Sequence, residues 1–254
     1  LLLMFKDYPQ KLKRVRRRYI MPFLSMIKNT LNILKQYALP DYKRPQSIFQ
    51  MYENDEIQKC YINFKKYFKT SLFLDTWKLR EHAINKAIDN DKKLEKTYIE
   101  FGVFSGSSIN FFSKYLKEKE IYGFDSFEGL KEDWIGTSVT KGTFDLKNKI
   151  PKLEKNVIPI KGWIDHTLPK FLNEKNPKIN FMHIDVDTYE TTKIVLELTK
   201  KFLEKGAVII FDELYNFPGW DVGEYKALKE IFNDEDYVFL SFAKNGQQVA
   251  IQIN

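Results

Sequence analysis

From Tyr98 onward the chain alternates short apolar runs with longer amphipathic ones. "TYIEFGV", "IYGFD", "VIPIKG", "INFMHID" and "GAVIIFDE" read as buried strands. Between them, "GSSINFFSKYLKEK" and "YETTKIVLELTKKFLEK" carry the helical spacing. "GEYKALKEIFN" is a further helix, and "YVFLSFA" and "QQVAIQIN" are two last strands joined at Lys244-Asn245-Gly246, a hairpin signal. Strands that alternate with helices predict a doubly wound parallel α/β sheet with right-handed crossovers, here closed by an antiparallel hairpin. Upstream, Thr70 to Asp91 has helical spacing, with Trp77, Leu79, Ala83, Ile84 and Ile88 as its buried stripe. Residues 1–70 read as a helical, aromatic-rich segment broken at a loop around Pro40 and Pro45. The expected division is therefore 1–70 and 71–254.

Charge sharpens that division. Fifteen basic against five acidic residues leave 1–70 at +10, and the remainder of the +7 chain at −3. "KLKRVRRR", Lys11 to Arg18, suits an anionic membrane surface, a nucleic acid, an acidic partner or an arm packing on a second subunit. No nucleic-acid-binding module accompanies it, which disfavours nucleic acid; a solvated helix face or an arm packing on a second subunit is the simpler expectation, the latter making a homo-oligomer, with an anionic membrane surface as the other contact. A 43% hydrophobic, 15% aromatic chain can bury a core, so a globular protein is expected. The single cysteine, Cys60, excludes a disulfide framework and a cysteine-rich zinc site, and fits a reducing, cytoplasmic setting, peripheral at the inner membrane surface if the basic arm docks there. "LLLMF" is too short for a signal-peptide core, and no apolar run is long enough to span a bilayer.

In a doubly wound sheet, ligands bind beyond the carboxyl ends of the strands. Residues suited to that task finish these strands. The first ends in "EFGVFSGSS", where Gly102 and Gly106 permit close backbone approach and Ser107 or Ser108 can cap the next helix. Phe104 stands where a dinucleotide fingerprint needs glycine, so this is not G-x-G-x-x-G; nor does a G-K-[ST] follow. Asp125 ends the second strand, where a carboxylate can accept from both hydroxyls of a ribose. Gly162 and Trp163, after the third, could wall an adenine pocket. Asp185 and Asp187 end the fourth, and Asp212 and Glu213 the fifth. Acids converging on one edge repel unless a cation lies among them, and an all-oxygen set favours a hard ion such as Mg²⁺.

Taken together, "YIEFGVFSGSSINFF", "IYGFDSFEGL", "IKGWIDHTLP", "MHIDVDTYETT" and "GAVIIFDE" resemble the macrocin O-methyltransferase (TylF-type) family of class I S-adenosylmethionine-dependent methyltransferases. The resemblance implies a seven-stranded Rossmann-like sheet and S-adenosylmethionine as cofactor. It implies donor contacts from Glu100, Gly102, Phe104, Gly106, Ser107 and Ser108, from Asp125 and Ser126, from Gly162 and Trp163, and from Asp185. It further implies a divalent metal on Asp185, Asp212 and Glu213, the last a departure because aspartate is commoner there. Asp185 is then also the catalytic carboxylate, with Asp187 in a supporting place. Thr188 follows Asp187, which excludes the lysine base that related phenol methyltransferases place there.

The expected reaction is Mg²⁺-assisted O-methylation of a sugar hydroxyl on a glycoside or glycan. Three alternatives stay open: a catechol-like phenol acceptor, a nucleotide-binding oxidoreductase, and a non-catalytic assembly protein. Among the histidines, His166 is a candidate base, His183 reads as a core residue, and nothing recommends His82. Tyr215, Trp220 and Tyr225 could stack on a sugar or pack a lid.

Overall fold

A computed structural model describes residues 46–254. The basic stretch Lys11–Arg18 and the loop at Pro40 and Pro45 lie outside the described residues. The contacts divide the chain between Met51 and Tyr52. Of the first unit only the start of helix α1 (Ile48–Phe64) is described. Its entry is a reciprocal cap: the Gln50 N–H donates to Ser47 Oγ (3.1 Å), and the Ser47 N–H to Gln50 Oε1 (2.9 Å).

The second unit is built on one eight-stranded sheet. Its strands are β1 (Leu72–Leu74), β2 (Thr97–Phe101), β3 (Ile121–Asp125), β4 (Val157–Lys161), β5 (Ile179–Ile184), β6 (Leu203–Phe211), β7 (Tyr237–Ala243) and β8 (Val249–Ile253). They lie in the order β1-β7-β8-β6-β5-β2-β3-β4. β8 is antiparallel to both its neighbours, and every other pairing is parallel. All seven expected strands are present. The eighth, β1, is a correction: Leu72–Leu74 was expected inside a helix, but it pairs with β7 from Leu72↔Ser241 to Leu74↔Ala243. Three apolar residues fit either period, and the sheet edge decided between them. Helix α2 (Thr76–Asp89) begins only after extended Asp75. Leu79, Ala83, Ile84 and Ala87 form its buried stripe, whereas Trp77 is half exposed, packed at a tilt against Phe111 and under the Arg80 guanidinium.

The sheet buries both faces, so alternate residues enter different cores. Ile99, Phe101, Met182, Ile184, Ile209 and Phe211 point into one, with α4 (Ile164–Lys175), α5 (Tyr189–Thr199) and α6 (Glu224–Ile231). Tyr98, Phe181, Val208 and Ile210 point into the other, with α2 and α3 (Ser107–Tyr115). Phe64 at the end of α1 sits in the first, with Tyr215, Trp220 and Tyr225 at 5.1–5.9 Å between ring centres. Those three aromatics are therefore packing residues, Tyr215 and Trp220 being buried.

Two features of the topology place the site. The chain leaves β2 toward β3 and leaves β5 toward β6, so the loops after β2 and β5 part at the switch point. The long connection from β3 to β4 contains no helix, only a bridge between Glu128 and Asp145. Among the described residues, no helix is long and apolar enough to cross a membrane.

Candidate functional site

At the switch point two loops cross with no room to spare. A Cβ on Gly102 would lie 1.7 Å from the backbone carbonyl oxygen of Asp185, and its φ of +85° also favours glycine. Asp125 then fixes the loop after β2. Its Oδ2 accepts from the N–H groups of Val103 (2.8 Å) and Phe104 (2.7 Å), and its Oδ1 from that of Phe127 (2.6 Å). Phe104, Phe127 and Asp187 all hold positive φ, backbone strain concentrated at one edge.

Above this crossing opens a cavity of about 490 Å³, within the range of small-molecule sites. Of the expected donor residues, Gly102, Phe104, Asp125, Ser126, Trp163 and Asp185 line it. Glu100, Gly106, Ser107, Ser108 and Gly162 do not. Ser108 is instead buried and donates to Glu100 Oε1 at 2.9 Å, while Gly106 is the left-handed N-cap of α3. The β3–β4 connection supplies walls that the sequence did not flag, Leu130, Lys131, Trp134 and Phe144. It has no periodicity to betray it. Turn hydrogen bonds fold it, such as Gly142 N–H to the Leu130 carbonyl (2.9 Å), and Lys131 anchors it to Asp165 at 2.6 Å.

The acids divide into two regions. In the first, strand register sets Glu100 beside His183. The fully buried imidazole bonds Glu100 Oε2 through Nδ1 (2.9 Å) and Asp212 Oδ1 through Nε2 (3.0 Å). Arg80 from α2 reaches the same Asp212 oxygen at 3.0 Å, and Gln248 donates to it as well. Burial opposes charge on the imidazole, but the bonds to Asp212 and Glu100 outweigh it and push His183 up to about 9. Burial likewise opposes charge on Asp212, yet His183, Glu213 and Arg80 hold it below the usual carboxylate range. Each carboxylate of this network has a cationic partner, Glu100 in His183 and Asp212 in His183 and Arg80. His183 is the paired interior residue its sequence position suggested.

In the second region, partners are missing. Asp185, Asp187 and Glu213 present oxygens within 4.8 Å of one another, and all three line the cavity. Glu213 Oε2 and the nearby Glu224 Oε1 are buried without any hydrogen-bond partner. Glu224, at the start of α6, uses its other oxygen to accept from the Glu213 N–H (2.9 Å). Burial, joined by repulsion from Asp212, raises the carboxyls of Asp185 and Glu213 well above their ordinary values. Burial, with Asp212 and Asp125, pushes Asp187 up to about 7.

The expected trio of Asp185, Asp212 and Glu213 is thus not brought together as one cation-sized group. Asp187 replaces Asp212 beside Asp185 and Glu213, while Asp212 groups with His183 and Asp185. Asp212 Oδ1 is held instead by Arg80, His183 and Gln248 together. Orphaned acceptors and unbalanced negative charge fit a hard cation at Asp185, Asp187 and Glu213. His166 has a largely exposed side chain 3.9 Å from Asp165, and it does not line the cavity.

Residues 99–214 match the family described as a methyltransferase domain. The chain is 26% identical over 188 residues to uncharacterized protein R132 of Acanthamoeba polyphaga mimivirus, covering 71% of this chain and 79% of that protein. Among solved structures it is similar to CalS11, a calicheamicin methyltransferase, with a TM-score of 0.53 and 20% identity across 82% of this chain and 94% of that one. The apo form, described as a TDP-rhamnose 3'-O-methyltransferase, gives 0.47 and 20% across 82% and 96%. At such identities the shared property is the fold, a Rossmann-like methyltransferase sheet.

Proposed function

We propose that this protein, whose residues 99–214 match the family described as a methyltransferase domain, is an S-adenosylmethionine- and divalent-cation-dependent O-methyltransferase acting on a sugar hydroxyl of a glycoside or glycan. The observation that carries the reading is the unbalanced group Asp185, Asp187 and Glu213 on the wall of the switch-point cavity.

When bound, the donor would supply a methyl group on a sulfonium, and the cation would lower the pKa of a hydroxyl nucleophile. The chain's own residues do the rest. Asp125 shapes the loop after β2, and the one lone-pair site left on its Oδ1 can accept from a ribose hydroxyl. Trp163, Phe104 and Trp134 give the cavity aromatic walls suited to an adenine and to excluding water. Asp185, Asp187 and Glu213 would hold the cation. Asp185, common to both acid groups, is the residue we assign to orient the acceptor oxygen and receive its proton.

Calorimetry with S-adenosylhomocysteine and with NAD tests the class: binding of the first alone is expected, and binding of NAD alone would sink the proposal. Full turnover in excess chelator would refute the metal.

A further inference from the structure

Behind the open group of acids stands a further carboxylate. Glu224 is 1% exposed and does not line the cavity, yet it reaches back eleven positions to touch Glu213, which does. Past the end of β6 the main chain changes partners residue by residue. The Asp212 N–H donates to the Ile184 carbonyl (3.0 Å) and the Leu214 N–H to the Gln247 carbonyl (3.0 Å). The Glu213 N–H between them donates to Glu224 Oε2 at 2.9 Å, in a buried bond. A buried N–H left without an acceptor costs about 1–3 kcal/mol, so this contact is what lets the Glu213 backbone stay where it is.

The acceptor is itself held from behind. Glu224 opens α6, where the helix dipole favours a carboxylate. The next residue, Tyr225, bonds Asn63 of α1 at 2.9 Å and packs on Phe64 and Trp220 at 5.1 Å between ring centres. Ala227 and Leu228 bury the inner face of the helix. None of these contacts involves Asp185, Asp187 or Glu213, so α6 offers a fixed point independent of the group it supports.

Glu213 needs such a point more than its companions do. Its arm is one methylene longer than that of Asp185 or Asp187 and carries one more rotatable bond, and its Oε2 has no hydrogen-bond partner to set its direction. The aim of a long arm depends on a fixed root.

We propose that Glu224 is a positioning residue for the cation site: by accepting from the Glu213 N–H it fixes the root of the Glu213 arm, and so keeps that carboxylate beside Asp185 and Asp187. The inference rests on the cation reading of those three acids and assigns the residue that maintains their geometry. Glu224 belongs to neither set of ligand atoms lying within 4.8 Å of one another, which fits a supporting place rather than a ligating one. Such partners behind a metal ligand orient it and are worth about 10–100-fold in affinity.

Two conservative substitutions separate the bond from the charge. Glu224→Gln keeps the reach and an acceptor oxygen but removes the charge. Glu224→Asp keeps the charge and draws the acceptor back by one methylene. The probe is Mn²⁺ alone, titrated into the full chain and read by the loss of the free ion's electron paramagnetic resonance signal. Glu224→Gln should bind Mn²⁺ within about threefold of wild type, and Glu224→Asp about tenfold more weakly. A single cooperative calorimetric melt certifies that each variant is folded, and a purely structural role for Glu224 would move that melt without moving Mn²⁺ affinity. Either variant decides alone: wild-type affinity in Glu224→Asp, or a loss of about tenfold in Glu224→Gln, would overturn the proposal and leave the cation reading standing. Absence of Mn²⁺ binding by the wild type would bring down both.

Discussion

Glu100 and His183 lie near the ends of β2 and β5 and Asp212 just past the end of β6, the same edge of the sheet that carries Asp185, Asp187 and Glu213. The two trios are similar in charge-bearing atoms and opposite in condition. The first is closed: Arg80, the imidazolium and Gln248 answer its carboxylates at hydrogen-bond distance. The second is open, with raised carboxyls and an orphaned Glu213 oxygen. Burial of charge is tolerable when it is paired, and where it is unpaired the chain awaits a partner from outside. The closed trio holds the strands in place, and the open one is where chemistry can occur.

Substitutions on the two sides should therefore fail in opposite ways. The largest effect is expected from Asp185→Asn, which should lower kcat about 10³-fold, the scale of a lost electrostatic contact at a reacting centre. The same change removes one repelling charge, so the metal-free protein should melt higher than wild type in calorimetry. A lower melting temperature would place Asp185 with the closed trio.

His183→Leu should do the reverse. It strands Glu100 and frees Asp212 from a partner, at a cost of about 3–5 kcal/mol in denaturant unfolding. Unaltered stability would show that the closed trio is not structural.

The pH dependence separates the two by sign. His183 has a folded value of about 9, above its unfolded value. Its contribution is complete below the unfolded pKa and is lost as pH rises through 9. Asp187, at about 7 when folded, binds a proton that the unfolded chain has released. Its charging therefore costs stability progressively from about pH 4 up to 7 in metal-free protein. Added Mg²⁺ should raise the melting temperature more at pH 8 than at pH 5.5, and equal shifts would argue that no cation sits among the acids. The smallest change belongs to Trp134→Ala on the β3–β4 connection, which touches neither trio. It should raise the apparent KM for the methyl donor several-fold at nearly constant kcat in steady-state assays.

Much of this was legible beforehand, but not evenly. Strand–helix alternation gave the sheet, because burial on both faces writes continuous apolar runs such as "INFMHI" and "AVIIF". It also gave the acids at strand ends, and Gly102 as the place of close approach. Glu224 could have been noticed only as an acid at a helix start, a common and uninformative feature. Trp134 and Phe144 lie in a segment whose folding comes from turns, which leave no hydrophobic period.

The sequence by itself determined which residues reach the ligand edge, because side-chain alternation and turn chemistry are local. Only the tertiary structure decided which of them are free. Arg80 meets Asp212 across 132 positions, and Glu100 meets His183 across 83, through strand order and register alone. A carboxylate's role depends on what neutralises it, and that partner is chosen by the fold rather than by its neighbours in the chain.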